Sequence, residues 1–319
     1  MLTLEAIRAL AAGFGFPRVA VTDASPTEPP PADAHPQALS LRADPRDALP
    51  EARSVLICAM PYRPFERRPG QASVDAYYIA SNRAHESARA LAEAIAATGA
   101  KAVMTSALRV KPLAVRAGLG RMGRNGLVAV DTLGTRVSLQ TIVTDLPLPG
   151  QHLPAALDPR CQACHICESA CPTRALRGDG SLDIARCVRA QPESAPLPES
   201  MRPLTCESLL GCDLCQRLCP RNRDLSEADA PADLADALRL ERLLSGDYKD
   251  LIPWLGKNNA RKLRLMSRAA LAAANQGRSD LLPLLDALAD MPAPVGEHAA
   301  WAARRLRENP PSSDAQTRL

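Results

Sequence analysis

Apolar positions along the chain follow two rhythms. Through about residue 150, short apolar runs alternate with amphipathic stretches. "LTLEAIRALAAGFG" has the three- and four-residue spacing of a helix and leads into the short strand-type run "RVAVTD". "SVLICAMPY", "AVMTSA" and "VSLQTIVTD" are further compact β-type runs, and "SNRAHESARALAEAIAATGA" predicts an amphipathic helix ending near Gly99. The Pro-rich "ASPTEPPPADAHP" predicts a mobile surface loop. This alternation predicts an α/β domain. Beyond about residue 226 the rhythm is helical only, in "DALRLERLLSG", "ARKLRLMSRAALAAANQG", "SDLLPLLDALADM" and "VGEHAAWAARRLREN". Gly277 and the "PAPVG" turn divide these segments, which predicts a short stacked helical repeat. The closing "PPSSDAQTRL" is expected to fray. The expected fold class is therefore α+β multidomain: an α/β domain over 1–157, a cysteine-rich module over 158–225, and a helical domain with its tail over 226–319.

Composition narrows the function classes. At 319 residues and 46% hydrophobic, the chain has material for two or three domains and a sizeable core. A formal net charge of +4 permits a polyanionic partner without demanding one. Aromatics at 3% disfavour single-strand nucleic-acid binding by base stacking, which needs aromatic platforms. The N-terminal stretch lacks the charged-then-apolar-then-small order of a signal peptide, and no apolar run reaches membrane-spanning length. A cytoplasmic protein is expected. In a reducing compartment its ten cysteines read as metal ligands or reactive thiols before disulfides.

Seven of those cysteines fall in two runs, "CQACHICESACP" from Cys161 and "CDLCQRLCP" from Cys212. Cys161, Cys164 and Cys167 are spaced so that one turning loop aims three thiolates at one cubane. Cys171 precedes Pro172, as in the bacterial ferredoxin run whose fourth cysteine ligates the other cluster. By that logic Cys161, Cys164, Cys167 and Cys219 hold one [4Fe–4S] cluster. Cys171, Cys212 and Cys215 need a fourth ligand for the second, with Cys187 the natural candidate and Cys206 its rival. A pair of structural zinc sites is the plainer alternative, since zinc also takes four thiolates; the full CxxCxxCxxxCP run favours the clusters. Cys58, inside an apolar run, reads as a small buried hydrophobe.

The span "CQACHICESACPTRAL…LDIARCVRAQ…LPESMRPL…LLGCDLCQRLCPRN", with "RAGLGRMGRNGL" at 116–127, resembles the epoxyqueuosine reductases, which are related to the reductive dehalogenases. The likeness extends to the start of the chain and to "EHAAWAARRL", which looks like that family's HEAT-like motif. It spans most of the chain, although the chain is shorter than typical members. The resemblance implies cobalamin-dependent iron–sulfur enzymes that reduce the epoxide of epoxyqueuosine in tRNA to queuosine. Electrons would come from an external ferredoxin or flavodoxin, through the clusters, to cob(II)alamin. It also implies Cys187 as the fourth ligand of the second cluster, and a corrinoid seated between the α/β domain and the ferredoxin-like module. "AGLGRMGRN" suits such a seat: Gly118, Gly120 and Gly123 allow close backbone approach, and Arg124 and Asn125 can reach amide or phosphate groups. An ordinary Gly-rich turn is the competing reading of that motif taken alone.

One departure from the family concerns its proton-donating aspartate. Counting back from the glycine motif without a gap places Met104 at that position, and methionine has no proton to give. Tyr62 is a candidate replacement, or else a hydrogen-bonded core tyrosine. Arg109 and Lys111 suit an anionic substrate, or are solvated loop charges. This leaves two rivals, the same machinery on a different small, anionic substrate and a non-catalytic two-cluster electron carrier. His85 reads as a solvated helix residue, and His165 as a group that tunes a cluster by hydrogen bonding. Lys257, Arg261, Lys262, Arg264 and Arg268 lie along a helix and its approach, where they could meet RNA phosphates or form a solvated face.

Overall fold

The computed structural model of the chain describes residues 2–191 and 195–309, so the expected frayed tail lies outside the described residues. The chain forms two compact units, each drawn from non-consecutive segments. One runs up to Tyr62 and adds Ala80–Ile184 and Leu214–Leu225; the other holds Arg63–Ile79, Ala185–Asp213 and the chain from Ser226 on. Few residues of the cysteine zone are apolar and buried, so it cannot enclose a core of its own. Its first run folds as part of the sheet unit.

The strands are β1 (Arg18–Asp23), β2 (Ser54–Pro61), β3 (Ser73–Val74), β4 (Ala102–Thr105), β5 (Gly120–Met122), β6 (Val128–Val130), β7 (Val137–Thr144) and β8 (Ser208–Leu210). The helices that matter below are α1 (Leu4–Gly13), α2 (Tyr77–Ala96), α3 (Val110–Arg116), α4 (Ile166–Ala170), α5 (Leu214–Arg217), α6 (Lys262–Asn275) and α7 (Val295–Glu308).

The first unit is built on a four-stranded sheet in the order β1-β2-β7-β4, and each neighbouring pair is antiparallel. The expected mixed α/β unit is present, and its alternating elements feed an antiparallel sheet. The apolar run of β2 explains itself by burial on both faces. Val55, Ile57 and Ala59 join a core with Leu113 and Ala114 of α3 and Val128 and Val130 of β6. Leu56, Cys58 and Met60 point the other way, to Ile7 and Ala11 of α1 and to Ala84, Ala88, Leu91 and Ile95 of α2. Period-two alternation sends successive side chains to opposite faces, and helical spacing presents one stripe to each.

The Pro-rich loop after β1 is held at several points. Arg116 at the end of α3 is buried beneath it, donating to Thr22 Oγ1 at 3.1 Å and to the carbonyls of Pro26, Asp23 and Ser25 at 3.1, 3.2 and 2.8 Å. Arg109 donates to the carbonyl of Glu28, and Arg177 pairs with Asp33 at 2.7 Å.

The second unit packs its core around α6, which buries Leu265, Met266, Ala269 and Ala270 among others. Helices at Leu282–Leu288 and α7 follow where the periodicity places them. "DALRLERLLSG" departs from expectation, because it breaks between Ala232–Ala237 and Leu240–Leu244. The backbone at Leu238–Arg239 is used elsewhere: Ala72 N donates to Leu238 O at 2.8 Å and Leu240 N to Gly70 O at 3.1 Å. Tertiary hydrogen bonds outweigh a few tenths of a kcal/mol per residue of helix propensity.

Candidate metal centre

The first cysteine run begins on a short turn at Pro159–Cys161, capped by Asp158, whose Oδ1 accepts from Arg160 N at 2.9 Å. Cys164 N donates to Cys161 O at 3.2 Å, curling the loop back before α4, which carries Cys167 on its buried side. Helix α4 packs on α5, and Cys219 stands just beyond α5 at the N-cap of a turn begun by Pro220. Here Asn222 locks the chain, accepting from Thr135 N at 2.8 Å and donating to Gln216 O at 2.8 Å.

The electrostatics show which thiols are neighbours. Burial pushes the Cys167 thiol up to about 11, and the charges of Cys219, Glu168 and Cys161 add to that shift. The Cys219 thiol is also raised, first by burial, with Cys161 and Cys164 adding and the Arg221 backbone N–H opposing. Cys161, Cys164, Cys167 and Cys219 thus lie within charge–charge range of one another. Among the described residues, no three His, Cys, Asp or Glu side chains converge as ligands of a single ion do. Thiolates on a cubane each take a different iron and need no such convergence. Four soft thiol donors from two runs fit an iron–sulfur cluster.

Cys171 differs. Burial would raise its thiol, but the Thr173 hydroxyl and the backbone N–H groups of Ala175, Thr173 and Leu176 outweigh that and lower it. The Ala175 N–H lies 3.3 Å from its sulfur. Such N–H···S bonds prepare a thiolate for iron. Cys187 caps the turn at Val188–Ala190, and Cys212 and Cys215 flank the start of α5. Cys206 sits at φ 51° with its thiol raised by burial and by Glu207, and lowered by Arg67; no cysteine contributes. Cys58 is fully buried and pushed up to about 12, the inert hydrophobe expected.

The residues expected to seat a corrinoid make close contacts within the chain itself. Gly120 belongs to the β5–β6 hairpin, where a Cβ would stand 2.4 Å from Ala129 O. At Gly118, φ is +71° and a Cβ would collide with Gln151 Oε1. At Gly123 a Cβ would meet Asn125 Oδ1 at 2.8 Å, and that same Oδ1 accepts from Leu127 N at 3.2 Å to close the turn. Arg124 reaches the cluster loop. Its Nε donates to Cys161 O at 2.6 Å, Nη2 to Gln162 O at 3.0 Å, and Nη1 to Gly178 O at 2.8 Å and Glu168 Oε1 at 3.0 Å.

Other candidates have equally specific places. Tyr62 is buried, with its hydroxyl donating to Gln216 Oε1 at 3.3 Å. Met104 lies on β4 opposite Ile142, packed towards the core layer under α1 and α2. Lys111 Nζ donates to Gly126 O at 2.7 Å, so it and Arg109 are both committed to backbone carbonyls. His85 is exposed, and His165 Nδ1 lies 3.3 Å from Glu168 Oε2. Sequence reasoning missed Asp158, Asp131, Arg160 and Arg221, an ionic group beside Cys161 and Cys219 in which Arg221 approaches Asp131 at 3.1 Å and Asp158 at 3.6 Å. The sequence signal was the adjacency of Asp158, Arg160 and Arg221 to cysteines; Asp131 lies far from any cysteine in the sequence.

Comparison with known proteins agrees with this picture. Residues 160–222 match the 4Fe-4S double cluster binding domain. The epoxyqueuosine reductase of Lactococcus garvieae is 31% identical over 219 residues, a match covering 64% of this chain and 60% of that protein. The epoxyqueuosine reductase of Pseudomonas aeruginosa is 29% identical over 299 residues, covering 84% and 81%. A crystal structure of an epoxyqueuosine reductase with an epoxyqueuosine-modified tRNA stem loop superposes with a TM-score of 0.80 at 22% identity, over 95% of this chain and 89% of that one. The chain is similar to the epoxyqueuosine reductases, shares their fold and matches a double iron–sulfur cluster domain.

Proposed function

We propose that the protein is an oxidoreductase of the epoxyqueuosine reductase type. The observation that carries this reading is the gathering of Cys161, Cys164, Cys167 and Cys219 within one unit, in a chain similar to those reductases over most of its length. One cluster would be held by these four thiols. The spacing assigns Cys171, Cys187, Cys212 and Cys215 to the second. Electrons from an external ferredoxin or flavodoxin would cross this pair of clusters. Cobalamin, implied by the resemblance, would supply a strongly reducing centre for the electrophilic carbon, with the motif of Gly118, Gly120 and Gly123 as its proposed seat. Among the described residues, no helix is long and apolar enough to cross a membrane. A cytoplasmic location is the proposal that goes with tRNA as substrate.

The solved relative carries a tRNA stem loop. In this chain Lys257, Arg261 and Lys262 are exposed at the entry to α6, while Arg264 and Arg268 are half-buried. Exposed cations exchange counterions with phosphates, so the first three are the ones proposed to contact RNA. The test is anaerobic. Purified protein should contain about eight irons and eight acid-labile sulfides, bind cobalamin saturably in a spectral titration, and convert epoxyqueuosine in tRNA from cells blocked at that stage. Clusters without cobalamin binding or conversion would leave an electron carrier as the surviving reading.

A further inference from the structure

We propose that Arg124 is a positioning residue for the first cluster-binding loop, holding it in the shape that receives iron; this rests on the two-cluster reading above. Arg124 leaves the tip of the β5–β6 hairpin, and every described hydrogen bond of its guanidinium goes to the cysteine module. Two acceptors are carbonyls in the loop itself, Cys161 and Gln162. The third is Glu168, one residue after Cys167 on α4, and the fourth is the Gly178 carbonyl in the turn that follows the run. One planar fork therefore ties the start of the run, its helix and its exit.

The hairpin is itself fixed against that module. Asp158 N donates to Met122 O at 2.8 Å, and Gly126 packs so closely on Gly180 that a Cβ there would lie 3.1 Å from its carbonyl oxygen. Gly178, at φ +85°, leaves room for the guanidinium, since a Cβ would meet Arg124 Nη1 at 2.8 Å. The Arg124 side chain is 17% exposed and that of Glu168 25%, so the pair is partly desolvated and its hydrogen bonds stronger than on an open surface. A fixed cation at the Cys161 carbonyl also makes the reduced, more negative cluster easier to form.

Two substitutions separate these effects. Arg124→Ala removes both the fork and the charge; Arg124→Lys keeps a charge but cannot bridge four acceptors. Both proteins are purified anaerobically, their iron and sulfide counted, their loss of iron to a chelator timed, and their midpoint potentials measured by EPR-monitored titration. Arg124→Ala should release about half of its iron roughly tenfold faster or more, the scale of one net hydrogen bond. First cluster remaining in it should titrate at a more negative potential. Arg124→Lys should restore the potential but not the iron retention. Unchanged iron retention and potential in Arg124→Ala would overturn the proposal. So would joint loss of both clusters and of helical circular dichroism, which would make Arg124 a residue of the fold at large. Zinc without sulfide in the unmodified protein would instead overturn the two-cluster reading beneath it.

Discussion

Cysteine chemistry here is decided by what each sulfur touches. Cys58, held near 12 by complete burial, stays protonated at any physiological pH and is neither nucleophile nor ligand. Cys171 receives N–H groups and a hydroxyl that stabilise the thiolate. Cys206 answers to Arg67 and Glu207 and to no other thiol. Cys187→Ser should therefore lower iron from about eight to about four per chain, while Cys206→Ser and Cys58→Ala leave it unchanged; iron and sulfide assays decide. Full iron in Cys187→Ser with loss in Cys206→Ser would exchange the two assignments. The double-cluster module was legible in the sequence because cysteine spacing is local geometry. The anchoring arginines were not: Arg116 and Arg124 are satisfied largely by backbone carbonyls, which every residue carries and no sequence pattern announces.

Elements show the same division. The runs buried on two faces were readable as strands, but their antiparallel pairing was not, since periodicity reports burial and not direction. The glycine motif was visible, yet its glycines serve hairpin pairing. Gly120→Val must push Ala129 O from 2.4 Å, which should cost about 2–4 kcal/mol. Because that hairpin carries Arg124, iron from the first cluster should fall with the unfolding temperature; a stable protein lacking only cobalamin binding would support the corrinoid seat at this motif. In the helical unit, His298 on α7 is 1% exposed and joins α6 to the loop at Leu197. Leu197 N donates to its Nε2 at 2.9 Å, so Nδ1 carries the proton that Ser267 Oγ accepts at 2.7 Å. Burial, then the charges of Arg202 and Arg268, lower its pKa from 6.5 to about 4. The folded state thus resists protonation. This contribution is complete above pH 6.5 and is lost as pH falls from there towards about 4, on the order of 2 kcal/mol between pH 7 and pH 5. Unfolding temperatures at the two pH values, in the unmodified protein and in His298→Asn, should show the drop shrinking in the variant.

At the scale of the whole molecule, the resemblance extended from the cysteine runs to most of the chain, and the fold comparison bears it out. The division into units was less legible, because non-consecutive segments share a core only after tertiary packing. The proton donor is where whole-chain likeness and local residue identity part. Met104 stands at the position counted for the family's acid, but β4 carries it opposite Ile142 with its side chain towards the helix-covered core. A carboxylate placed there would face apolar neighbours, costing about 2 kcal/mol. General acid catalysis is worth roughly 10²–10⁴-fold, so the unmodified protein should reduce epoxyqueuosine in tRNA slowly by that margin. Met104→Asp should lower the unfolding temperature without restoring the rate. The measurement pairs nucleoside analysis of tRNA from cells blocked at the epoxide stage with thermal unfolding of both proteins. A fast unmodified enzyme would mean that the proton comes from another group or from water. A rate gain in Met104→Asp with the fold intact would mean that β4 turns this position into the site during catalysis, reversing the orientation that Ile142 pairing gives it here.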